Sequence, residues 1–152
     1  MSPHPVRQSH PVRQSPDLLS LLTRAERLSA RRLQSVLETA DCSLEAWRVM
    51  SVLSDGEGHA MAAVADAAFL PPPSLTKLVD QLVDQNVVHR RVDPLDRRRI
   101  LAYLTPRGMA RWRRLNAEIS AAWAELASSD DALLSELLAR FIATVEEARP
   151  TA

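Results

Sequence analysis

The stretch that decides the fold runs from Asp93 to Gly108 and reads DPLDRRRILAYLTPRG. Residues 98–104 within it alternate between two faces, which is the period of a β-strand. The preceding residues 87–92 are rich in valine and arginine, and valine favours an extended backbone. The proline-containing segment 93–96 therefore predicts a hairpin turn between two short strands.

Helices are predicted on both sides of this hairpin. Thr105 and Pro106 are typical of a helix start, because threonine caps the first turn and proline lacks only an amide hydrogen that would be unpaired there. Upstream, the three prolines 71–73 indicate a turn into a helix from about Pro72 to Gln85, which Asn86 can end in a left-handed conformation. The apolar stripe of that helix is Leu75, Leu78, Val79 and Leu82.

The other apolar residues recur mainly at three- and four-residue steps, as on amphipathic helices. They predict helices from Asp17 through Leu37, from Ser43 to Leu53, from Met61 to Phe69, from Thr105 to Leu126 and from Asp130 to near Pro150. We predict a mainly α fold with a small β-hairpin, in which residues 43–105 form a winged helix-turn-helix. The flanking regions 17–42 and 106–150 carry apolar stripes that need a partner, so we interpret them as dimerisation helices.

The N-terminal segment contains a repeat, because residues 4–9 and 10–15 both read HPVRQS. A tandem hexapeptide with a proline in each copy is not expected to pack, so we interpret residues 1–16 as a disordered tail. Arg7 and Arg13 could touch a nucleic acid, but an inert tail is the favoured interpretation.

The composition indicates one compact domain. The chain has 152 residues, of which 46% are apolar and only 4% aromatic, so the core must consist mainly of Leu, Val and Ala, which favours helices over a β-sandwich. We find no apolar run long enough to span a membrane and no secretory signal. The one cysteine, Cys42, excludes an internal disulfide, and we expect a cytoplasmic, nucleoid-associated protein.

Charge is distributed unevenly along the chain, whose net charge is zero. Residues 87–114 contain nine arginines against two aspartates, whereas the residues on either side carry a net negative charge. A basic segment suits a polyanion, and a helix fits the major groove, so we predict double-stranded DNA as a partner. The candidate DNA-binding residues are Pro73, Ser74, Thr76, Lys77 and Gln81 on the helix, and Arg90, Arg91, Arg97, Arg98 and Arg99 in the hairpin.

The hairpin of residues 87–104, here called the wing, also contains Asp93 and Asp96. Carboxylates are unexpected beside a polyanion. We expect at least one of them to pair with a neighbouring arginine and to stiffen the wing, although an exposed pair stabilises a fold by only about 0–1 kcal/mol.

Residues 93–108 resemble the wing signature of the MarR (multiple-antibiotic-resistance regulator) family. That signature is an acidic turn, an aspartate followed by arginines, an alternating strand, Leu-Thr and a glycine. Residues 70–86 are similar to the recognition helix of the family, with Ser74, Thr76, Lys77 and Asp80 at matching positions. The resemblance implies a homodimeric transcription regulator, with repression as the favoured mode, whose terminal helices form the dimer interface and whose winged domains bind a pseudo-palindromic DNA site.

Three departures from the family pattern concern the DNA-binding surface. Leu95 occupies the wing-tip position where the family often has an arginine, so we expect the minor-groove contact to pass to Arg97. Asn86 replaces a usual glycine, which is a mild change because asparagine tolerates the same backbone conformation. The prolines 71–73 are an uncommon start for a recognition helix.

The resemblance also implies an effector, because many members of the family respond to small phenolic or lipophilic acids. The candidate pocket residues are Trp47, Arg48, Arg111 and Trp112, since an aromatic ring and a cation can hold an aromatic carboxylate. Core packing is the favoured interpretation of both tryptophans. We interpret Cys42 as inert rather than as a redox switch.

We predict no enzymatic activity, no cofactor and no metal site. The sequence has no Gly-rich phosphate loop, no nucleophile elbow, no Cys-x-x-Cys pair and no ligand spacing among its four histidines. The remaining alternative is a winged-helix module that docks onto another protein. Salt distinguishes the two, because DNA binding releases counterions and weakens steeply as the salt concentration rises.

Overall fold

The structure is a computed structural model, and it describes residues 17–148 of the chain. This part contains six α-helices and a three-stranded antiparallel sheet. The elements in chain order are α1 (Leu18–Glu38), α2 (Leu44–Val52), β1 (His59–Ala60), α3 (Met61–Ala67), α4 (Pro72–Asp84), β2 (Val88–Val92), β3 (Ile100–Leu104), α5 (Pro106–Ala124) and α6 (Asp131–Glu147). This order confirms the predicted winged helix-turn-helix fold. The predicted tail, residues 1–16, lies outside the described residues.

The helix boundaries follow from local sequence. The backbone N–H of Ala46 donates to Ser43 Oγ at 3.1 Å at the start of α2, and the N–H of Gly108 donates to Thr105 Oγ1 at 2.9 Å at the start of α5. Both hydroxyls therefore satisfy an amide that has no partner within its helix. After α4, Asn86 has a φ of 55°, so it adopts the left-handed conformation that the sequence predicts.

The hairpin predicted from the sequence is part of a larger sheet. β2 pairs antiparallel with β3, with Val88 opposite Leu104 at the base of the wing. β1, which sequence analysis missed, pairs with the other edge of β3, where His59 lies opposite Ala102. The strand order is therefore β1-β3-β2. A strand of two residues is too short to produce an alternating pattern in the sequence.

His59 also connects β1 to the turn that follows α2. Its ring Nε2 lies 2.7 Å from Asp55 Oδ2, and the backbone N–H of Glu57 donates to Asp55 Oδ1 at 2.9 Å. Burial alone would raise the pKa of Asp55, but these hydrogen bonds outweigh it and hold that pKa below its ordinary value. The turn is thereby tied to the edge of the sheet.

The tip of the wing differs from the prediction. The sequence pattern places the start of the second strand at Arg98, but β3 begins at Ile100. Residues 93–99 form the turn instead, because two aspartate side chains within it accept hydrogen bonds from backbone N–H groups. The prediction of a four-residue turn over residues 93–96 is therefore wrong, and the arginines 97–99 lie in the turn itself.

The core lies where the end of α1 packs with α2, α3, α4, α5 and the sheet. Its largest fully buried side chains include Leu37, Met50, Leu53, Leu75 and Leu115. In contrast, α6 has no buried residue, and large apolar side chains of α6 and of the first half of α1 are exposed. Within residues 17–148, no helix combines the length and the apolarity that crossing a membrane requires.

Candidate nucleic-acid interface

The outer face of α4 is polar and accessible. All five candidate residues of this helix are exposed, whereas Leu75, Val79 and Leu82 bury the opposite face against the core. The Thr76 hydroxyl donates to the Pro72 carbonyl oxygen at 3.0 Å, so its remaining hydrogen-bonding capacity toward a ligand is as an acceptor. The exposed residues are Pro73, Ser74, Thr76, Lys77 and Gln81.

Three of these side chains share a shallow cleft with α2. Ser74, Lys77 and Gln81 line a surface cavity of about 320 Å³, together with Ser43 and Glu45 at the start of α2. Their spacing of three and four residues places them on one stripe of α4. The cleft therefore offers hydroxyl, ammonium and amide groups beside one carboxylate.

Asp93 organises the wing turn from within. Its side chain is 9% exposed, its Oδ1 accepts a hydrogen bond from the Leu95 N–H at 2.8 Å, and its Oδ2 lies 3.8 Å from Arg99 Nη1. The Asp93 N–H donates to the Arg99 carbonyl oxygen at 2.9 Å, which closes the turn. A buried carboxylate with these partners holds the loop in one conformation.

Asp96 acts on the outer half of the same turn. Its Oδ1 accepts the Arg98 N–H at 3.0 Å, and its carbonyl oxygen accepts the Arg99 N–H at 2.9 Å. Among the described residues, the guanidinium groups of Arg97 and Arg98 form none of the ion pairs or side-chain hydrogen bonds. These two positive charges therefore point to solvent from a fixed backbone.

Arg90 and Arg91 are engaged within the protein. Arg90 forms a charged hydrogen bond with Asp80, and this contact ties β2 of the wing to α4. The guanidinium carbon of Arg91 lies 5.8 Å from the centre of the Tyr103 ring, which also stacks on His89 with ring centroids 5.2 Å apart. These arginines therefore position the wing and are less available to phosphates than the arginines of the turn.

Asp80 belongs to this surface, although sequence analysis did not include it among the candidate DNA-binding residues. Its contact with Arg90 connects the two parts of the interface. The only available sequence signal is its match to the family recognition helix. Ten residues separate the pair along the chain, and no local pattern indicates that the two side chains meet.

The candidate effector residues do not form one cluster. Trp112 Nε1 donates to Ser51 Oγ at 3.1 Å, and Trp47 packs against the core with its Nε1 buried and without a hydrogen-bond partner. Arg48 lies 3.5 Å from a carboxylate oxygen of Glu26 on α1. The two tryptophans thus have the partly buried environment that core packing predicts.

Arg111 lies in a different environment. It donates to Gln85 Oε1 and to the Asp41 carbonyl oxygen, both at 2.9 Å. It lines a surface cavity of about 510 Å³ with Arg107 and Arg114, and neither tryptophan of the candidate pocket lines it. Arg111 therefore stands apart from the other three candidate effector residues.

Cys42 is buried beside this corner of the molecule. Burial raises the pKa of its thiol, and the nearby Arg111 only partly offsets that effect. A thiol with a raised pKa is a weak nucleophile at neutral pH. In residues 17–148, no group of His, Cys, Asp or Glu side chains is arranged to hold a metal ion.

The fold and this surface define the class of the protein, a winged helix-turn-helix protein with a polar helix face beside a basic wing. Residues 41–99 match the model of the MarR family. This match confirms the resemblance to the MarR family that the recognition helix and the wing indicated. A comparison with curated proteins found no match.

Solved structures share the fold over nearly the whole described chain. CouR from Rhodococcus jostii, bound to p-coumaroyl-CoA, has a TM-score of 0.79 at 21% identity over 91% of this chain and 99% of its own. NadR in complex with 4-hydroxyphenylacetate has a TM-score of 0.79 at 19% identity, over 90% of this chain and 96% of its own. Wild-type apo MarR from E. coli has a TM-score of 0.72 at 19% identity, over 85% of this chain and 98% of its own. This likeness establishes a MarR-like fold with helices on both sides of the winged region.

Proposed function

We propose that this protein is a transcription regulator, acting as a repressor at the nucleoid, that binds a pseudo-palindromic site in double-stranded DNA as a homodimer. The observation that carries the proposal is the Asp80–Arg90 contact, which holds the exposed face of α4 and the basic wing together as one surface. A catalytic role has no support in the described residues, and we infer that the chain is not an enzyme.

The two parts of the surface suit different parts of a duplex. An α-helix fits the major groove, where Lys77 and Gln81 can contact base edges and Ser74 can contact a phosphate or a base edge. Arg97 and Arg98 have free guanidinium groups, which suit phosphates and the electronegative minor groove. Base contacts by α4 provide sequence specificity, and the free arginines of the wing provide affinity.

The apolar surface of α1 and α6 supports the homodimer. The two helices border a groove of about 460 Å³ lined by Leu18, Leu21, Leu22, Ala25, Leu134, Leu137, Leu138 and Phe141. A contiguous apolar surface of this kind marks an interaction site in a monomer. A two-fold dimer through these helices would present two recognition helices about 34–36 Å apart, which is one turn of DNA.

The first test is selection of fragmented genomic DNA by the purified protein at near-physiological salt, followed by sequencing of the retained fragments. We expect a pseudo-palindrome with half-sites about one turn apart. Retention of DNA without any preference would contradict sequence-specific regulation. If no DNA is retained, the protein-docking alternative is favoured. The same holds if the chain binds another protein with an affinity that does not depend on the salt concentration.

The wing is tested by removing its two free charges. The Arg97→Ala/Arg98→Ala variant should bind all duplexes more weakly. The magnitude of the slope of log affinity against log salt should fall by up to about 4 for the homodimer, because two arginines are lost from each of two protomers and each lost phosphate contact releases about 0.9 fewer counterions. The matched control is Arg24→Ala/Arg27→Ala, which removes the same charge from exposed positions of α1. Equal effects of the two variants would mean that net charge, rather than the wing, determines binding.

The helix is tested through its polar face. Thr76→Ala or Lys77→Ala should change which bases are preferred in the selected site, because a lost base contact typically costs about 1–3 kcal/mol at one position of the site. An unchanged preference would mean that these side chains do not read bases. Fluorescence anisotropy with single-position variants of the selected duplex provides the measurement.

An aromatic or lipophilic acid is the effector class that we propose. The support is the binding of 4-hydroxyphenylacetate by NadR and of p-coumaroyl-CoA by CouR, together with the unpartnered Trp47 Nε1 beside Arg48. Titration of the protein–DNA complex with aromatic acids should release DNA, and Arg48→Ala should abolish that release.

A further inference from the structure

Leu95 is the most exposed large apolar side chain of the described residues. It is 95% exposed at the tip of the wing turn, and Val92 and Ile100 on the flanking strand ends are 59% and 47% exposed. Burial of a leucine side chain stabilises a complex, so a partner that covers Leu95 and its two apolar neighbours would gain affinity from them.

The turn presents Leu95 in a fixed position. The Leu95 N–H is bound by the buried Asp93 carboxylate at 2.8 Å, and the ring of Pro94 fixes the preceding backbone. The arginines 97 and 98, whose guanidinium groups are free, follow directly after Asp96. The tip is therefore an apolar side chain on a rigid loop, next to two cations.

The length of the wing matches the distance to the neighbouring groove. This step rests on the proposed DNA binding. β2 has five residues, and a strand rises about 3.3 Å per residue, so it spans roughly 17 Å. Half a turn of DNA is also about 17 Å. If α4 occupies the major groove, a wing of this length is long enough to reach the adjacent minor groove, where Arg97 and Arg98 would meet the phosphates at its edges. Leu95, rather than Arg97 as the sequence analysis expected, would then lie at the groove itself.

We propose that Leu95 is a specificity-determining wedge, which enters the minor groove and partly unstacks one base step. Apolar side chains that act in this way occur in proteins that bend DNA through the minor groove. Pyrimidine–purine steps unstack most easily, so the operator should carry a TA or CA/TG step beneath each wing. An arginine at this position would instead favour a narrow, A·T-rich groove.

The experiment places 2-aminopurine, whose fluorescence rises on unstacking, at successive positions of the duplex recovered by genomic selection. Wild-type protein should raise the fluorescence at one step per half-site, about half a turn from the major-groove contacts. Leu95→Ala should abolish the rise at saturating protein and lower affinity about tenfold, a change of about 1.4 kcal/mol. Leu95→Met, which keeps an apolar wedge, should retain the rise. Leu95→Arg should lose it and shift the preference toward A·T-rich sequence.

Fluorescence anisotropy of the same duplexes measures DNA binding separately from unstacking. Tight binding without a fluorescence rise at any position, or a rise that persists in Leu95→Ala, would overturn the wedge and leave DNA binding intact. Absence of wild-type binding to any duplex would overturn both the wedge and the proposed function. Stability is not a confounding factor, because the Leu95 side chain is almost fully exposed.

Discussion

Gly108 lies in the first turn of α5, where the backbone of the helix meets the end of the loop between α4 and β2. A β-carbon at this position would lie 2.0 Å from the Val87 carbonyl oxygen and 3.2 Å from Leu104 Cδ2. The Val87 carbonyl is held in place, because the Thr105 N–H donates to its oxygen at 3.0 Å. The glycine of the wing signature is thus required by close packing of two backbones.

Replacement of Gly108 by alanine should therefore be strongly destabilising. We expect Gly108→Ala to lower the free energy of unfolding by about 3 kcal/mol, at the upper end of the usual cost of overpacking, because rigid backbone must move. Gly56→Ala is the control, since a β-carbon there would have nothing within 4 Å. Only the left-handed backbone, with a φ of 82°, disfavours alanine at this position, and we expect a loss of about 1 kcal/mol. Urea denaturation followed by circular dichroism measures both. Equal losses would contradict close packing at Gly108.

Among the secondary-structure elements, the two helix caps differ in the number of hydrogen bonds that their hydroxyl groups form. Ser43 accepts one hydrogen bond, from Ala46 in its own helix. Thr105 accepts the Gly108 N–H and also donates to the Asn86 carbonyl oxygen at 2.7 Å. The Thr105 hydroxyl therefore joins the start of α5 to the end of α4, and this junction sets the direction in which the wing leaves the helix.

The cap variants should reflect that difference. Ser43→Ala should cost about 1 kcal/mol of stability, which is typical of a lost N-cap. Thr105→Ala should cost about 2 kcal/mol, because it also removes the hydrogen bond between the Thr105 hydroxyl and the Asn86 carbonyl oxygen. Thermal unfolding of the two variants at one protein concentration provides the comparison. A Thr105→Ala loss no larger than that of Ser43→Ala would mean that the hydroxyl caps the helix and nothing more.

The apolar surface of α1 and α6 belongs to the scale of the whole molecule. Within one chain, α6 has no buried residue, although its apolar residues recur at helical spacing. Such a helix would be only weakly stable on a monomer, because most of the stability of a helix in a protein comes from the packing of its apolar face. A second copy of the chain is the partner that we propose for this surface.

A charge in the groove tests that dimer. Leu134→Glu should shift the protein from dimer to monomer, because a carboxylate at this position would be desolvated without a partner on assembly. Ser135→Glu introduces the same charge one residue further along α6, at a position that does not line the groove, and should remain dimeric. Sedimentation velocity at micromolar concentration distinguishes the two states. A wild-type monomer, or a dimeric Leu134→Glu variant, would contradict the proposed interface.

The sequence by itself determined most of the secondary structure and the class of fold. Hydrophobic periodicity, the caps at Ser43 and Thr105, the prolines before α4 and the left-handed Asn86 are local features, and local backbone preferences decide where helices begin and end. The wing signature is also local, since its turn, strand and helix start follow one another within residues 93–108. Apart from the length of the wing turn, these predictions agree with the structure because each depends on residues only a few positions apart.

Which side chains are free to bind depends on contacts that form only in the folded chain. The pairing of Asp80 with Arg90, the third strand at His59, the burial of Asp93 and the separation of Arg111 from the tryptophans all depend on contacts between different elements. The energy of such a contact depends on the distance and the burial that the whole fold imposes, and one-dimensional spacing contains neither. The five wing arginines are alike in the sequence, and the fold divides them into those that position the wing and those that face solvent.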